Sequence, residues 1–296
     1  MSIAETQLET WSHQGSITQS SATYNTIKSA LENPNAPYSD KSFKVFLQGS
    51  YGNDTNIYSE SDVDIVIQLD DCYQYDLAEL PQNQANLHNS SMASAPYTHV
   101  NFKADVTEVL NSKYGSDVKA GEKAITISAN GNRRKADVIV AIQFRRFYKF
   151  NGFSDQNYDE GICFYSSDGT QIVNYPRKHS ENMTAKHQGS SQWLKPMVRI
   201  LKNIRSKLVE SKAISPGIAP SYYLEGLLYN VPSEKFGESY SQSLYNCIEW
   251  IQAAEKSKFL CANEQYYLFR EGSPVTWRES NFEIFMSALI DFWNQS

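Results

Sequence analysis

The chain of 296 residues has few of the features that mark secreted, membrane-spanning or fibrous proteins. Its four cysteines form no Cys-x-x-Cys pair, which argues against a disulfide framework or a zinc ribbon and favours a reducing cytoplasm. Glycine and proline number 14 and 10, too few for a collagen-like or low-complexity protein. No apolar run approaches the roughly 20 residues of a membrane-spanning helix, and the N-terminus does not read as a secretory signal. We therefore expect a cytoplasmic protein without a membrane partner.

An excess of positive charge is also missing. The 27 lysines and arginines stand against 33 acidic residues, which gives a net charge of −6. This balance argues against broad binding of duplex DNA. Two segments are nevertheless basic: residues 133–149 hold six cationic side chains and one acid, and residues 195–207 hold five and none. We expect these two basic strips to concentrate small polyanions such as triphosphates.

The chain changes character near residue 180. Before it, β-like runs alternate with helical stretches, and after it three apolar stripes at helical spacing predict a helix bundle. This division predicts two domains, 1–182 and 183–296. The segment 70–96 is polar and interrupted, and we interpret it as a loop or an insertion. The predicted strands are 43–47, 63–69, 124–128, 136–144 and a hairpin of 161–165 with 171–175, and a helix is predicted over 98–110.

Three aspartates stand at the start of buried strands. Asp62 and Asp64 are two residues apart, so their carboxylates project from one face of a strand. An isolated Asp-x-Asp pair is usually a solvated strand edge, but residues 65–67 are apolar on both faces, which is typical of a buried strand. Asp137 opens a second apolar run. Three carboxylates at neighbouring strand ends would suit Mg²⁺, which leaves coordination positions for substrate phosphates.

A small-residue turn follows the first predicted strand. Gly49 and Ser50 come directly after the apolar run 43–47. Such a turn can offer backbone N–H groups and a hydroxyl to a phosphate.

This order of a Gly-Ser turn, an Asp-x-Asp pair and a later single aspartate resembles the DNA-polymerase-β-like nucleotidyltransferases. Segments 49–57, 172–179 and 199–205 are more closely similar to the bacterial CD-NTases, relatives of cyclic GMP-AMP synthase and oligoadenylate synthetase. The resemblance extends from about residue 43 to about 230. It implies an α+β fold with a nucleotidyltransferase core and N-terminal helix at 1–182. It also implies a C-terminal helical domain at 183–296, with the active site in the cleft between the two.

The resemblance also implies residue roles. Asp62, Asp64 and Asp137 would be catalytic and hold two Mg²⁺ ions, for which Mn²⁺ is a substitute. Lys202 would reach the triphosphate from a helix side turned away from the apolar stripe, and Tyr222 would stack on a base, with plain packing as its alternative. We expect His179 to be a structural hydrogen-bonding residue. The implied nucleotide-binding residues are Gln48, Gly49, Ser50, Arg199, Lys202, Ser221 and Tyr222.

The implied activity is template-independent synthesis of a cyclic di- or trinucleotide from nucleoside triphosphates, ATP and/or GTP, with release of pyrophosphate. A monomer would make this product for a separate effector in bacterial antiphage (CBASS) signalling. No zinc thumb for duplex DNA is expected, and whether the C-terminus is conjugated stays open. Two alternatives stay open. The same aspartates would serve a nucleotidyltransferase that modifies RNA ends or a protein, and the chain would also suit an inactive nucleotide-binding sensor.

Overall fold

The computed structural model describes residues 3–15, 17–59, 62–273 and 275–295. These residues form two compact units. The helical unit comprises the described residues of 1–17, 48–61 and 177–296, and the sheet unit comprises 18–47 and 62–176. The sequence-based boundary at 182 therefore lies close to the observed change at 177. The early segments 1–17 and 48–61 nevertheless belong with the C-terminal helices, although the sequence analysis placed them in the first domain.

The sheet unit is built on one mixed sheet, with elements numbered along the whole chain. Within the described residues its strand order is β1-β2-β5-β4-β3, and β6 pairs with β5 and β7. β2 and β5 run parallel, and the other pairs are antiparallel. The sheet strands are β1 Phe43–Leu47, β2 Val63–Asp76, β3 Val118–Ala120, β4 Ile125–Ile127, β5 Ala136–Phe150, β6 Gln156–Tyr165 and β7 Gln171–Asn174. The accompanying helices are α2 Thr18–Leu31, α4 Gln82–Ser91 and α5 His99–Tyr114.

The predicted strands are confirmed, and most follow from residue pattern. β1 has the predicted bounds, and the two predicted hairpins are the antiparallel pairs β4–β5 and β6–β7. Helix α5 begins after Thr98, whose side chain and that of Asn101 form a capping box, and it continues four residues beyond the predicted end. Residues 63, 65, 66 and 67 are fully buried, as expected for a strand with an apolar face on both sides.

The interpretation of segment 70–96 as a loop is wrong. β2 continues past an irregularity after Leu69, and its residues 73–76 pair with residues 143–146 of β5. Helix α4 follows, and its buried His88 packs its ring against Phe147 and Phe150 at centroid distances of 4.9 Å. The strand and helix in this segment were not predicted because its composition is polar. The aromatic residues that they contact lie far along the chain.

The helical unit has one apolar core. The three predicted apolar stripes contribute to it on α7, α9 and α10, and Leu8 of α1 joins them. No helix in the described ranges is both long enough and apolar enough to cross a membrane. The helices of this unit are α1 Glu5–Ser12, α3 Gly49–Gly52, α6 Pro176–Gly189, α7 Leu194–Glu210, α8 Ser221–Asn230, α9 Tyr240–Ala253 and α10 Glu279–Gln295.

Candidate functional site

The sheet register places two of the three predicted aspartates on one face. Asp64 of β2 lies opposite Asp137 of β5 in the parallel pair. Register partners on neighbouring strands point to the same side, and such strands lie about 4.8 Å apart. Asp62 lies two residues before Asp64 and shares its face by strand alternation. The register thus sets Asp64 beside Asp137, and we call the surface that carries Asp62, Asp64 and Asp137 the aspartate face.

A lysine bridges two of these carboxylates. Lys135 Nζ donates to Asp62 Oδ2 at 2.5 Å and to Asp137 Oδ2 at 3.2 Å. The hydrogen bond to Asp62 and the charge of Asp137 raise the pKa of Lys135 above its ordinary value. Asp137 Oδ1 accepts a further hydrogen bond from Thr126 Oγ1 of β4 at 2.5 Å. Each carboxylate oxygen of Asp137 therefore accepts a hydrogen bond.

The aspartate face is not a ready-made metal centre. In the described part of the chain, no three His, Cys, Asp or Glu side chains form a group that could hold a metal ion. The Lys135 ammonium lies between two of the three predicted carboxylates, Asp62 and Asp137. The donor set still fits a hard divalent cation. It consists of carboxylate oxygens, and two of them already share one positive charge.

The predicted phosphate-binding turn forms the short helix α3. Gly49 has a φ of 66°, in the left-handed region that favours glycine, and the extended Gln48 precedes it. The Ser50 carbonyl accepts a hydrogen bond from the Thr55 N–H at 2.9 Å, so the turn runs directly into the following loop. Gln48 Oε1 is buried without a hydrogen-bond partner among the described residues. An unsatisfied buried acceptor costs free energy, which marks it as a position for a ligand donor.

Three cations of α7 hold the loop after this turn. Lys195 Nζ contacts Asp54 Oδ2 at 2.9 Å, Arg199 Nη1 donates to the Asp54 carbonyl at 2.6 Å, and Lys202 Nζ donates to the Thr55 carbonyl at 3.0 Å. Their spacings of four and three residues place them on one side of the helix. This side is not open to solvent at Lys202, which is fully buried and donates to the loop. A contact of Lys202 with a triphosphate is therefore not preformed.

Glu225 anchors the same loop and was missed by the sequence analysis. Its side chain is 2% exposed and accepts hydrogen bonds from Asn53 Nδ2 at 3.0 Å and from Thr55 Oγ1. His179 Nε2 of α6 contacts the same carboxylate at 2.7 Å, which confirms its structural role. We call Glu225, Asn53, Thr55, His179 and Lys202 the loop anchor. A single acid among the apolar residues of α8 was the signal that would have found it.

Ionisation of Glu225 depends on this hydrogen-bond network. Burial by itself raises the pKa of the carboxyl, but the hydrogen bond and charge of His179, with the charge of Lys202, outweigh it and lower the pKa to about 2. The ionised form is the one that accepts from all three donors. Glu225 is therefore a buried anion that the fold stabilises.

Ser221 and Tyr222 already have protein partners. The Ser221 hydroxyl accepts from Arg205 Nη1 at 3.3 Å. The Tyr222 ring stacks on His179 at 5.0 Å with an interplanar angle of 26°, and its hydroxyl accepts from Asn263 Nδ2 at 2.9 Å. Burial raises the pKa of Tyr222 well above its ordinary value. Tyr222 therefore packs within the protein against His179, as its packing alternative describes.

The two basic strips form contacts within the protein. In residues 133–149, Arg133 pairs with Asp117 and Arg146 with Asp76, while the Arg145 guanidinium lies 4.0 Å from the Tyr73 ring centroid. The cations of 195–207 bind the loop, the chain near Ser221 and Glu210. Most of the cations in these two strips therefore have partners within the protein or are buried.

Comparison with known proteins identifies the family to which this fold and these residues belong. Residues 181–294 match the family model described as the cGAS/DncV-like nucleotidyltransferase C-terminal helical domain. Over 295 residues the chain is 40% identical to the cyclic UMP-AMP synthase of Rhodothermus marinus, covering 99% of this chain and 98% of that protein. It is 33% identical to the cyclic nucleotide synthase CdnE01 of Staphylococcus haemolyticus, with 100% of each chain covered.

Solved structures give the same result. The Rhodothermus marinus CdnE c-UMP-AMP synthase with Apcpp and Upnpp matches with a TM-score of 0.88 at 38% identity, covering 99% of this chain and 97% of that one. The Elizabethkingia meningoseptica CdnE cyclic dinucleotide synthase with GTP and Apcpp matches with a TM-score of 0.77 at 30% identity, covering 99% and 98%. The similarity is full-length in sequence and in fold. The chain therefore belongs to the cGAS/DncV-like nucleotidyltransferases, the CD-NTase family of cyclic oligonucleotide synthases.

Proposed function

We propose that this chain joins ATP and UTP into a cyclic dinucleotide that acts as a signal in bacterial antiphage (CBASS) defence. The observation that carries this pairing is the full-length similarity to a cyclic UMP-AMP synthase whose structure holds Apcpp and Upnpp. The sequence analysis expected ATP and/or GTP as substrates. This proposal keeps ATP and replaces GTP with UTP. The product would leave a monomeric, cytoplasmic synthase and act on a separate effector.

The aspartate face is the proposed catalytic centre, with Mg²⁺ as the divalent ion, two ions bound, and Mn²⁺ as a substitute. When bound, such ions polarise the α-phosphate and lower the pKa of the attacking ribose hydroxyl. Asp62, Asp64 and Asp137 supply the carboxylate oxygens. The hydrogen bond from Thr126 fixes the orientation of Asp137, and the parallel register fixes Asp64 beside it.

The turn at Gln48, Gly49 and Ser50 is the proposed binding site for the nucleotide. Backbone N–H groups and the Ser50 hydroxyl suit phosphate oxygens. The buried Gln48 Oε1 is an acceptor, so it suits a ribose hydroxyl or a base amino group rather than a phosphate. In this proposal Gln48 helps to orient the nucleoside while its two neighbours bind the phosphates.

Arg199 and Lys202 act in this proposal mainly through the loop. Each donates to a backbone carbonyl of residues 54–55, directly after the phosphate-binding turn. Ser221 and Tyr222 have a similar supporting role, through Arg205 and His179 respectively. Fixing the turn before the substrate binds lowers the entropic cost of binding, which is the general benefit of preorganisation.

The two transfer steps need no template. The first releases pyrophosphate and gives a linear dinucleotide that keeps one triphosphate, and the second closes the ring with release of a second pyrophosphate. The ring-closing attack is intramolecular because the first transfer has already joined the two nucleotides, and a fixed orientation of this linear intermediate contributes a large part of the rate.

The test is product analysis. Purified protein is incubated with Mg²⁺ and all four nucleoside triphosphates, and then with every pair of them, and products are identified by mass and nuclease fingerprinting. We expect a phosphatase-resistant product of one adenosine and one uridine monophosphate unit, which forms only when ATP and UTP are both present. A cyclic product from another pair would overturn the base assignment. Transfer of label from α-³²P nucleotide to RNA or protein, or no transfer at all, would overturn cyclic synthesis.

A further inference from the structure

The geometry of the sheet holds Lys135 close to both of the carboxylates that it contacts, Asp62 and Asp137. It lies two residues before Asp137, so strand alternation places the two side chains on one face. Its carbonyl accepts a hydrogen bond from the Val63 N–H at 3.0 Å, which holds the start of β5 beside the residue after Asp62. The short contacts of Nζ with Asp62 and Asp137 follow from this arrangement.

The ammonium offsets a concentration of negative charge. Asp62 and Asp64 share a face with Asp137, and neighbouring strands are only about 4.8 Å apart. Like charges at this separation repel one another, so the metal-free site requires a positive charge between them. Lys135 supplies that charge at 2.5 Å and 3.2 Å from two of the carboxylates.

A divalent cation at the aspartate face would need the oxygens that Lys135 binds. Mg²⁺ takes carboxylate oxygens at about 2.0–2.1 Å, so its charge and that of the ammonium would repel strongly if both stayed between Asp62 and Asp137. We propose that Lys135 is a built-in counter-ion of the metal-free enzyme, which competes with divalent cations for Asp62 and Asp137 and leaves them when metal binds. This inference rests on the proposed metal role of the aspartate face.

The chain offers a matched control on β5, the strand that Lys135 directly precedes. Lys149 of β5 pairs with Asp155 at 2.6 Å, and its side chain is 49% exposed against 43% for Lys135. It carries the same charge in a similar surface setting, but its partner is not one of the three aspartates. Lys149→Met therefore reports what the loss of an exposed lysine does on its own.

The experiment measures Mn²⁺ binding without nucleotide, by electron paramagnetic resonance of free Mn²⁺ and by calorimetry. The proteins are the wild type, Lys135→Met, Lys135→Arg and Lys149→Met, with Lys135→Gln in reserve should the methionine variant fold poorly. We expect Lys135→Met or Lys135→Gln to bind Mn²⁺ about tenfold more tightly, because a competing unit charge is lost. Lys135→Arg and Lys149→Met should stay within about twofold of the wild type.

Thermal unfolding gives a second readout. Without metal, Lys135→Met should unfold at a lower temperature than Lys149→Met, and added Mn²⁺ should raise its unfolding temperature more than it raises that of the wild type. Mn²⁺ affinity of Lys135→Met that equals or falls below that of the wild type would overturn the counter-ion role. If Asp62→Asn with Asp64→Asn leaves Mn²⁺ binding of otherwise wild-type protein unchanged, the metal assignment itself fails, whatever Lys135 does.

Discussion

The aspartate face and the loop anchor use negative charge in opposite ways. On the aspartate face, Asp62 is nearly half exposed, and the partly exposed Lys135 side chain offsets its charge. In the loop anchor, Glu225 is buried and receives hydrogen bonds from fixed neighbours on other segments. An exposed site with an exchangeable partner can take up a ligand cation, whereas a buried and satisfied carboxylate can only hold structure. The two regions should therefore respond differently to mutation.

The largest effect is expected at the aspartate face. Asp62→Asn with Asp64→Asn should lower the rate of nucleotide transfer by about three orders of magnitude or more, because electrostatic stabilisation of the transition state is lost. The unfolding temperature should change little, since removing two like charges from a partly exposed site relieves repulsion. Radiolabelled product formation and thermal unfolding measure the two quantities. Wild-type turnover in the double variant would contradict the assignment.

Glu225→Gln should have the reverse profile, with its main effect on stability. The buried Lys202 and the donors around position 225 would lose their anion, which costs about 3 kcal/mol of unfolding free energy. Urea denaturation measures this loss. Glu210→Gln is the matched control, because Glu210 is an exposed acid paired with Lys207 and its replacement should change stability little. Equal effects of the two substitutions would show that the loop anchor is not a stabilising network.

The stability that Glu225 contributes should depend on pH. Its pKa is lowered to about 2 from an ordinary 4.5, so its contribution is complete above pH 4.5 and is lost as the pH falls toward 2. The difference in unfolding free energy between wild type and Glu225→Gln should shrink by up to about 3 kcal/mol across that window. Urea titrations at pH 2.5, 3.5, 5 and 7 measure it. A difference that is constant from pH 5 to 2.5 would contradict an ionised, stabilised Glu225.

The smallest predicted effect concerns one donor to Glu225. Thr55→Val keeps the shape of the side chain and removes the hydroxyl that donates to the buried carboxylate, which should cost about 1–2 kcal/mol. KM for nucleotide should rise more than kcat falls, because the loop beside the phosphate-binding turn loosens. Thr107→Val in α5 removes only a hydroxyl that bonds its own helix at Lys103, and should cost less. An equal loss of unfolding free energy in Thr55→Val and Thr107→Val would contradict a stabilising role for the hydrogen bond from Thr55 to Glu225.

The features that were predicted correctly from the sequence are those that depend on residues close together in the chain. Strand alternation placed Asp62 and Asp64 on one face, and the two hairpins followed from turn residues between apolar runs. Family resemblance supplied the fold and the class of reaction. The common face with Asp137 required the parallel register of β2 and β5, which links residues about 70 positions apart.

What the sequence did not reveal depends on contacts between distant segments. Glu225 meets Asn53 across 172 residues and His179 across 46, and no local pattern encodes either pairing. Lys202 was expected to reach the triphosphate, and helical periodicity does not show that its ammonium donates to a loop carbonyl. Lys135 is the exception, since its spacing of two from Asp137 already places both side chains on one face of the strand.

The central claim is that the aspartate face binds the catalytic metal. Anomalous diffraction from crystals grown with Mn²⁺ and a non-hydrolysable ATP analogue tests it most directly. We predict an anomalous peak within roughly 2 Å of carboxylate oxygens of Asp62, Asp64 and Asp137, next to the analogue's phosphates. Nucleotide bound with no anomalous peak at these carboxylates, or with Mn²⁺ held by other residues, would contradict the account.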